Sequence, residues 1–328
     1  MDTAVVKELN KNSLRSRLTQ RREATIQELA EPTGLSVVTV KALLNEMIAQ
    51  GEVIEGETAP SGGGRPSRRY VYNGEYRHAA AVYGYQNENK NSIHVLVVNL
   101  FGECVYKDQA FIEDIRVESF CGMLDRAMGA YPKIAAIAFG LPGFEENGVI
   151  VANDYGGIVG DRFLRFYQSR YGLPIRYIND VNAAVVGYSG PAHVKTCLAG
   201  IYFPRLYRPG AGMVINGGVY TGAQHFAGEI GHLLPDTDWL LLDYDDEEAV
   251  SDAVARMLGI YCCVVAPEQF ILYGDFFSEK SAGEIRCRTQ DLLCGQFQVN
   301  VEVSSAFERD FERGMTALAL RQLGDTFI

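Results

Sequence analysis

No stretch of this 328-residue chain approaches the roughly 18 uninterrupted apolar residues that a membrane-spanning helix needs, so no membrane contact is expected. The first ten residues mix acidic and polar groups with apolar ones and no apolar signal core follows, which speaks against a secretory leader. Paired cysteines are missing as well. The seven cysteines (Cys104, Cys121, Cys197, Cys262, Cys263, Cys287 and Cys294) contain no CxxC or CxC spacing. An odd number without paired spacing reads as free thiols in a reducing cytoplasm, with no disulfide framework and no metal site. Positive charge is scarce: the formal net charge is -11. What is present is an ordinary globular composition, 47% hydrophobic and 22% charged, long enough for two or three folding units.

The charge deficit is unevenly placed. Residues 1–78 hold 11 Lys and Arg against 10 Asp and Glu, a balance of +1, so the remaining 250 residues carry all of the acidity. Such asymmetry signals parts with different partners. In the first part, Val6, Leu9, Leu14 and Leu18 space an amphipathic helix from about Thr3 to Leu18. A shorter helix is expected from about Thr25 to Glu31. Then come Pro32-Thr33-Gly34-Leu35-Ser36, where Gly34 can take a positive φ and Ser36 can cap the next helix. That helix should run to about Gln50 and stop at Gly51.

Short helix, glycine-containing turn and longer helix is the helix-turn-helix arrangement, whose second helix enters the major groove of double-stranded DNA. Its leading residues here are Ser36, Val37, Val38, Thr39 and Lys41, with Asn45 one turn on. Valine side chains suit thymine methyls, and Thr39 suits a base or a phosphate. Two strands, Val53-Ile54-Glu55 and Arg69-Tyr70-Val71-Tyr72, flank a glycine- and arginine-rich segment, residues 60–69, that reads as the wing. Arg65, stiffened by Pro66, suits a narrow minor groove, and Arg68 and Arg69 suit phosphates. A head of near-neutral charge binds DNA modestly, which favours an oligomer, a homodimer or homotetramer, on paired half-sites.

The pattern changes at Ala79. Three consecutive strands are expected at 79–85, 92–100 and 103–111, then a helix at 117–128, a buried strand ending in Pro142-Gly143, a helix at 163–171 and a short strand ending in Asn179-Asp180. Further strands near 197–203 and 211–215 open a second lobe, the latter closed by the hairpin signal Asn216-Gly217. This is an α/β order of the actin/hexokinase type (ribonuclease H-like), in two lobes divided near residue 190.

Several motifs in this order resemble the ROK family of repressors, open reading frames and kinases. Tyr177-Ile178-Asn179-Asp180-Val181-Asn182-Ala183-Ala184 resembles its ENDAN-A segment, and Phe226-Ala227-Gly228-Glu229-Ile230-Gly231-His232 its GEIGH signature. Ala138–Gly143 resembles its GVPGP turn, residues 217–228 its glycine-rich run, and residues 311–319 its closing helix. The winged head followed by Gly-Gly-Arg-Pro also matches regulators of that family. The resemblance implies that Asp180 stands where the kinases hold their general base. It also implies that Asn179, Asp180, Glu229 and His232 contact sugar. The bland alternative for Asp180 is that it caps a helix beginning at Val181.

The departures bear on activity. The family's phosphate loop between the first two strands reads DxGGT; here the segment is Tyr83-Gly84-Tyr85-Gln86-Asn87-Glu88-Asn89-Lys90. The second loop, glycine-rich in the family, reads Phe203-Pro204-Arg205-Leu206-Tyr207-Arg208-Pro209-Gly210. Phosphoryl transfer depends on positioned phosphates and Mg²⁺. The expectation is therefore no kinase activity and no nucleotide cofactor. The family's zinc cysteines after the GEIGH histidine are replaced by residues 233–250, LLPDTDWLLLDYDDEEAV, which hold no cysteine. The expected protein is a cytoplasmic transcriptional regulator, a repressor of carbohydrate metabolism, with a winged head (1–78) and a sugar-sensing, kinase-like body (79–328). Its alternatives are an active sugar kinase with a fused head, or a regulator whose body only dimerises.

Overall fold

A computed structural model describes residues 3–59, 67–87, 90–160, 162–190 and 197–325. The chain opens with α1 (Thr3–Arg21), β1 (Glu23–Thr25), α2 (Ile26–Thr33), α3 (Val37–Ala49), β2 (Val53–Ala59) and β3 (Ser67–Tyr72). The helix boundaries follow local chemistry. Thr25 and Glu28 form a reciprocal capping box, Gly34 takes φ 68° after α2, and the Ser36 hydroxyl accepts from the Thr39 N–H at 3.1 Å. The helix expected to end near Glu31 continues through Pro32 to Thr33, whose hydroxyl bonds the Leu29 carbonyl. The expected hairpin is a three-stranded antiparallel sheet in the order β1-β3-β2. Its extra strand is only three residues long and follows Arg22 at φ 64°, too short for alternation to mark it.

Leu14, Leu18, Leu29, Val40, Leu44 and Met47 close the core of this head. Beside them a polar tie joins α1 to the sheet: Arg15 donates to both carboxylate oxygens of the fully buried Glu52, at 2.5 and 3.0 Å, and Tyr72 donates to Glu52 at 3.2 Å. Removing one partner of such a pair strands a buried charge, which costs about 3–5 kcal/mol.

The body contains β4 (His78–Asn87), β5 (Lys90–Asn99), β6 (Cys104–Ile112), α4 (Cys121–Ala130), β7 (Ile134–Leu141), β8 (Phe144–Glu146), β9 (Val149–Ala152), α5 (Phe163–Tyr171), β10 (Ile175–Asn179) and α6 (Asp180–Ser189). It continues with β11 (Cys197–Tyr202), β12 (Gly210–Ile215), β13 (Gly218–Val219), α7 (Glu247–Val264), β14 (Gln269–Tyr273), α8 (Glu279–Leu292), β15 (Val301–Ser304) and α9 (Phe307–Asp325). One five-stranded sheet runs β10-β7-β4-β5-β6 and the other β13-β12-β11-β14-β15. In each, three sequential antiparallel strands are followed by two that join parallel beside the first. The two lobes thus share one topology, the two-lobed arrangement expected of an actin/hexokinase-like chain. Asn216 (φ 52°) and Gly217 (φ 77°) make the tight turn between β12 and β13.

All strands of the first sheet precede residue 190, but the chain does not stay in the second lobe. The last helix, α9, returns to pack on β4 and β7 of the first sheet and crosses α6. The crossing is backbone to backbone: a Cβ on Gly187 would lie 1.8 Å from the Asp310 carbonyl oxygen, and one on Gly314 would lie 1.7 Å from that of Ala183. α6 also packs on β11 and β12, so it sits between the sheets with its first turn at the cleft. Aromatic side chains of Phe120, Phe139, Phe163 and Tyr167 fill the outer layer of the first lobe. Trp239, Phe203 and Tyr244 contribute to that of the second.

Candidate functional site

Two surfaces carry the residues that the sequence singled out. On the head, capping occupies two of them: Ser36 and Thr39 share a hydroxyl hydrogen bond of 2.8 Å, and Ser36 holds the first turn of α3. The exposed face of α3 is then Val37, Val38, Lys41 and Asn45, with Val38 78% exposed. An apolar side chain so open at a helix start contributes nothing to this core and is free for a partner. Arg65 and Pro66 lie outside the described residues. Arg68 and Arg69 on β3 are each already paired, Arg68 with Glu55 and Arg69 with Glu23 at 2.9 Å. These exposed pairs are weak and exchangeable.

The second surface is the cleft between the lobes. The strand β7 ends at Pro142-Gly143, and three side chains converge on its carbonyls. Asn153 and Tyr177 each donate to the Pro142 carbonyl at 2.5 Å, and the Asn179 amide donates to that of Gly143 at 3.1 Å. Gly143 takes φ 77°, and a Cβ there would lie 2.0 Å from the Ala152 carbonyl oxygen, so the turn admits only glycine. Asn179 also accepts from the Asn182 N–H at 3.0 Å, which makes Asn179 the cap of α6. The capping role considered for Asp180 therefore belongs to its neighbour. Asp180 is the first helical residue, its Oδ1 held by the Val181 N–H at 2.8 Å. A residue inside the helix cannot also be its cap; its carboxylate lines the cleft instead.

Asn179 and Asp180 from the first lobe share a cavity of about 310 Å³ with Glu229 and His232 from the second. The four residues named from the sequence are thus brought together. Asn153, Asp154 and Arg208, which sequence reasoning missed, join them. Asn153 leaves the small hairpin β8–β9, and its only sequence signal is a polar pair before Tyr155-Gly156-Gly157. The three carboxyl groups share one electrostatic problem. Burial, then the charge of Asp154, pushes Asp180 up to about 7. Burial and the charge of Glu229 push Asp154 up to about 6, and burial raises Glu229. Burial places the Tyr155 and Tyr177 hydroxyls well above the usual phenol range. Phenol and amide donors beside carboxyl acceptors fit vicinal hydroxyls.

A second compartment of about 530 Å³ opens from the first, sharing Pro142, Asp154, Asp180, Tyr202, Leu206 and Tyr207 with it. Its floor is aromatic. Tyr202 of β11 stacks on Phe307 of α9, with centroids 4.0 Å apart, and Tyr85 of β4 stacks on the same ring at 6.2 Å. The cleft is bridged at one rim, where Gln224 donates to Glu146 at 3.1 Å and Phe226 meets Phe144 edge-on at 5.6 Å.

The zinc site of the resembling family does not fit this chain. His232 is exposed, and among the described residues no group of three or more His, Cys, Asp or Glu side chains is arranged to hold a metal ion. The segment after His232 instead inserts Leu234, Trp239 and Tyr244 into the second lobe's core, Trp239 packing on Phe203 at 5.7 Å. Apolar packing takes the place of a metal cross-link. Asp243, Asp245, Asp246 and Glu247, further along this segment, are exposed to solvent, and Asp246 caps α7. Among the described residues, no helix is long and apolar enough to cross a membrane.

Comparisons with known proteins agree with this architecture. A protein of Caldicellulosiruptor sp. strain Rt8B.4, provisionally named a xylose repressor, is 28% identical over 250 residues, covering 71% of this chain and 60% of its own length. The xylose repressor of Caldicellulosiruptor bescii is 23% identical over 239 residues, 70% of this chain and 59% of its own. The chain thus spans about 60% of the length of these relatives. In three dimensions it resembles the crystal structure of a ROK family transcriptional regulator, a homologue of the E. coli Mlc protein. That likeness has a TM-score of 0.64 at 13% identity and covers 97% of this chain and 99% of that one. It also resembles a ROK hexokinase from Thermus thermophilus, with a TM-score of 0.61 at 18% identity over 76% of this chain and 99% of that one. At these identities the likeness is one of fold. The ROK family model matches residues 90–249, and that part of the chain is a ROK family domain.

Proposed function

We propose that this chain is a sugar-responsive DNA-binding repressor of the cytoplasm, acting as a homodimer or homotetramer on paired half-sites. The observation that carries the sensing half is the convergence of Asn179 and Asp180 from one lobe with Glu229 and His232 from the other on a single cavity. A ligand there touches both lobes and so has differential affinity for their arrangements, which is the condition for shifting an equilibrium. The exposed face of Val37, Val38, Lys41 and Asn45 supports the DNA-reading half, with Arg65 in a narrow minor groove and Arg68 and Arg69 on phosphates. The xylose-repressor names of the relatives point the same way.

Phosphoryl transfer is not part of this reading. Strand β4 runs on to Asn87 where a glycine-rich phosphate loop would stand, and residues 203–209 line the two compartments of the cleft with bulky side chains. Asp154, Asp180 and Asp275 line the larger compartment, while Arg205 there is held by Asp275 at 3.0 Å and Asp245 at 3.2 Å. Polyphosphate meets no free cation among those lining residues. One observation favours the kinase reading instead: Asp180, pushed up to about 7, is tuned as a general base is.

A thermal-shift screen of the full chain against sugars, sugar phosphates and Mg·ATP separates the readings. Stabilisation by a neutral sugar and none by Mg·ATP supports the regulator. Stabilisation by Mg·ATP with formation of a sugar phosphate overturns it. Silence toward every sugar leaves the body as a dimerisation module.

A further inference from the structure

The larger compartment has a ligand chemistry of its own. It is continuous with the Asn179–Asp180 cavity, and Asp180, Tyr202 and Tyr207 face both. Three rings from three separated elements, Tyr85, Tyr202 and Phe307, stack into one wall. Ser304 and Ser305 also line the compartment. Arg205, the lysine- or arginine-type cation in its lining, is neutralised by two aspartates and lies over Phe276, 5.6 Å from the ring centroid. Aromatic faces with a few hydroxyls and carboxylates, and no uncommitted cation among the described lining residues, suit a neutral polyhydroxylated ring: its apolar C–H face lies on an aromatic side chain and its rim meets the polar groups. They do not suit phosphate, which needs unpaired cations or a run of backbone N–H groups.

Resting on the sugar-sensing reading above, we infer that the effector is a neutral saccharide of at least two units, its first ring held by Asn179 and Asp180 and its second lying in the aromatic compartment. The smaller cavity, about 310 Å³, stands at the bottom of the roughly 300–1,000 Å³ of ordinary ligand sites. The adjoining 530 Å³ therefore leaves a single ring incompletely enclosed. A two-ring ligand also bridges Tyr85 of the first lobe and Tyr202 of the second, so its length is read as lobe position.

The test is calorimetric titration of the full chain with D-xylose, D-glucose and N-acetyl-D-glucosamine, with the β-1,4-linked disaccharide of each, with maltose, and with glucose 6-phosphate. For the sugar that the cleft accepts, a disaccharide binds at least about tenfold more tightly than its monosaccharide. Ser305→Trp, at an exposed position lining the compartment, fills it and brings the ratio of disaccharide to monosaccharide affinity down to about one. Tyr85→Ala has the same effect in smaller measure. Equal affinity for one and two rings, or tighter binding of glucose 6-phosphate, overturns the inference while leaving a sugar-responsive regulator intact. Binding by none of these saccharides overturns both.

Discussion

The head and the cleft are built on opposite principles. On the head, the proposed DNA face is local: Gly34 and Ser36 set the start of α3, and the helix then presents Val37, Val38, Lys41 and Asn45 by its own periodicity. In the cleft nothing is local. Asn153 comes from the end of a hairpin, Asn179 from a strand end, Tyr202 from the other sheet, and Phe307 from a helix that returns from the far end of the chain. The lesson is that the head can be changed one residue at a time without altering the body, whereas the cleft responds to any shift between lobes. Under the proposed function the cleft is the sensing half and the head the reading half, which predicts separable defects.

The largest separation is expected from Asp180→Ala. The carboxylate is fixed by the Val181 N–H and faces both compartments. Loss of a charged hydrogen-bond partner costs about 1.5–3 kcal/mol, so saccharide affinity falls roughly tenfold to a hundredfold by titration while DNA affinity holds. Val38→Glu is the mirror case. It places a negative charge at the open start of α3, weakening DNA binding by about tenfold or more in fluorescence anisotropy, with saccharide affinity unchanged.

The joint between the halves is the third point of attack. Arg22 donates to Glu103 at 2.6 Å and lies over the Phe101 ring, 4.6 Å from its centroid, and the Leu100 N–H bonds the Gly74 carbonyl at 2.9 Å. Phe101→Ala should leave each half binding its own partner but reduce the effect of saccharide on DNA affinity several-fold. Glu55→Ala is a smaller, opposite change: it frees Arg68 for phosphate, so DNA binding strengthens modestly and its salt slope steepens by about 1.

The smallest effect is on stability. Asp154 ionises near 3.9 in an unfolded chain and at about 6 in the fold. The folded state holds the extra proton between these values, so this contribution is present at acid pH and lost as pH rises through about 6. Asp154→Asn removes that loss. Because Asp154 lies on the solvent-facing edge of the cleft, the gain at pH 8 is about 1 kcal/mol or less, read as a small rise in melting temperature that is absent at pH 4.

This contrast also explains what the sequence could reveal. Ser36, Gly34 and the α3 face were legible because capping and periodicity act within a few residues. Asn179, Asp180, Glu229 and His232 were legible only as motifs resembling the ROK family; their convergence depends on the crossing of α6 and α9 and on two sheets of equal topology. Asp154 gave no signal, since an acid after a hairpin is ordinary until Asp180 stands beside it. The aromatic wall was illegible because Tyr85, Tyr202 and Phe307 are each unremarkable strand-end or helix-start residues. Trp239 lay in a stretch noted for its missing cysteines, and only the packed lobe shows it filling a core. Arg15 and Glu52, 37 positions apart, carried no pattern that pairs them.

The central claim is that saccharide in the cleft and DNA on the head are linked. The most direct test selects a duplex from a random pool with the full chain, then measures the affinity for that duplex with and without saturating saccharide, and the affinity for saccharide with and without duplex. Linkage requires the two ratios to be equal, and the account predicts a shared ratio clearly different from one, with saccharide weakening DNA binding. A saccharide that binds the cleft and leaves DNA affinity unchanged contradicts it.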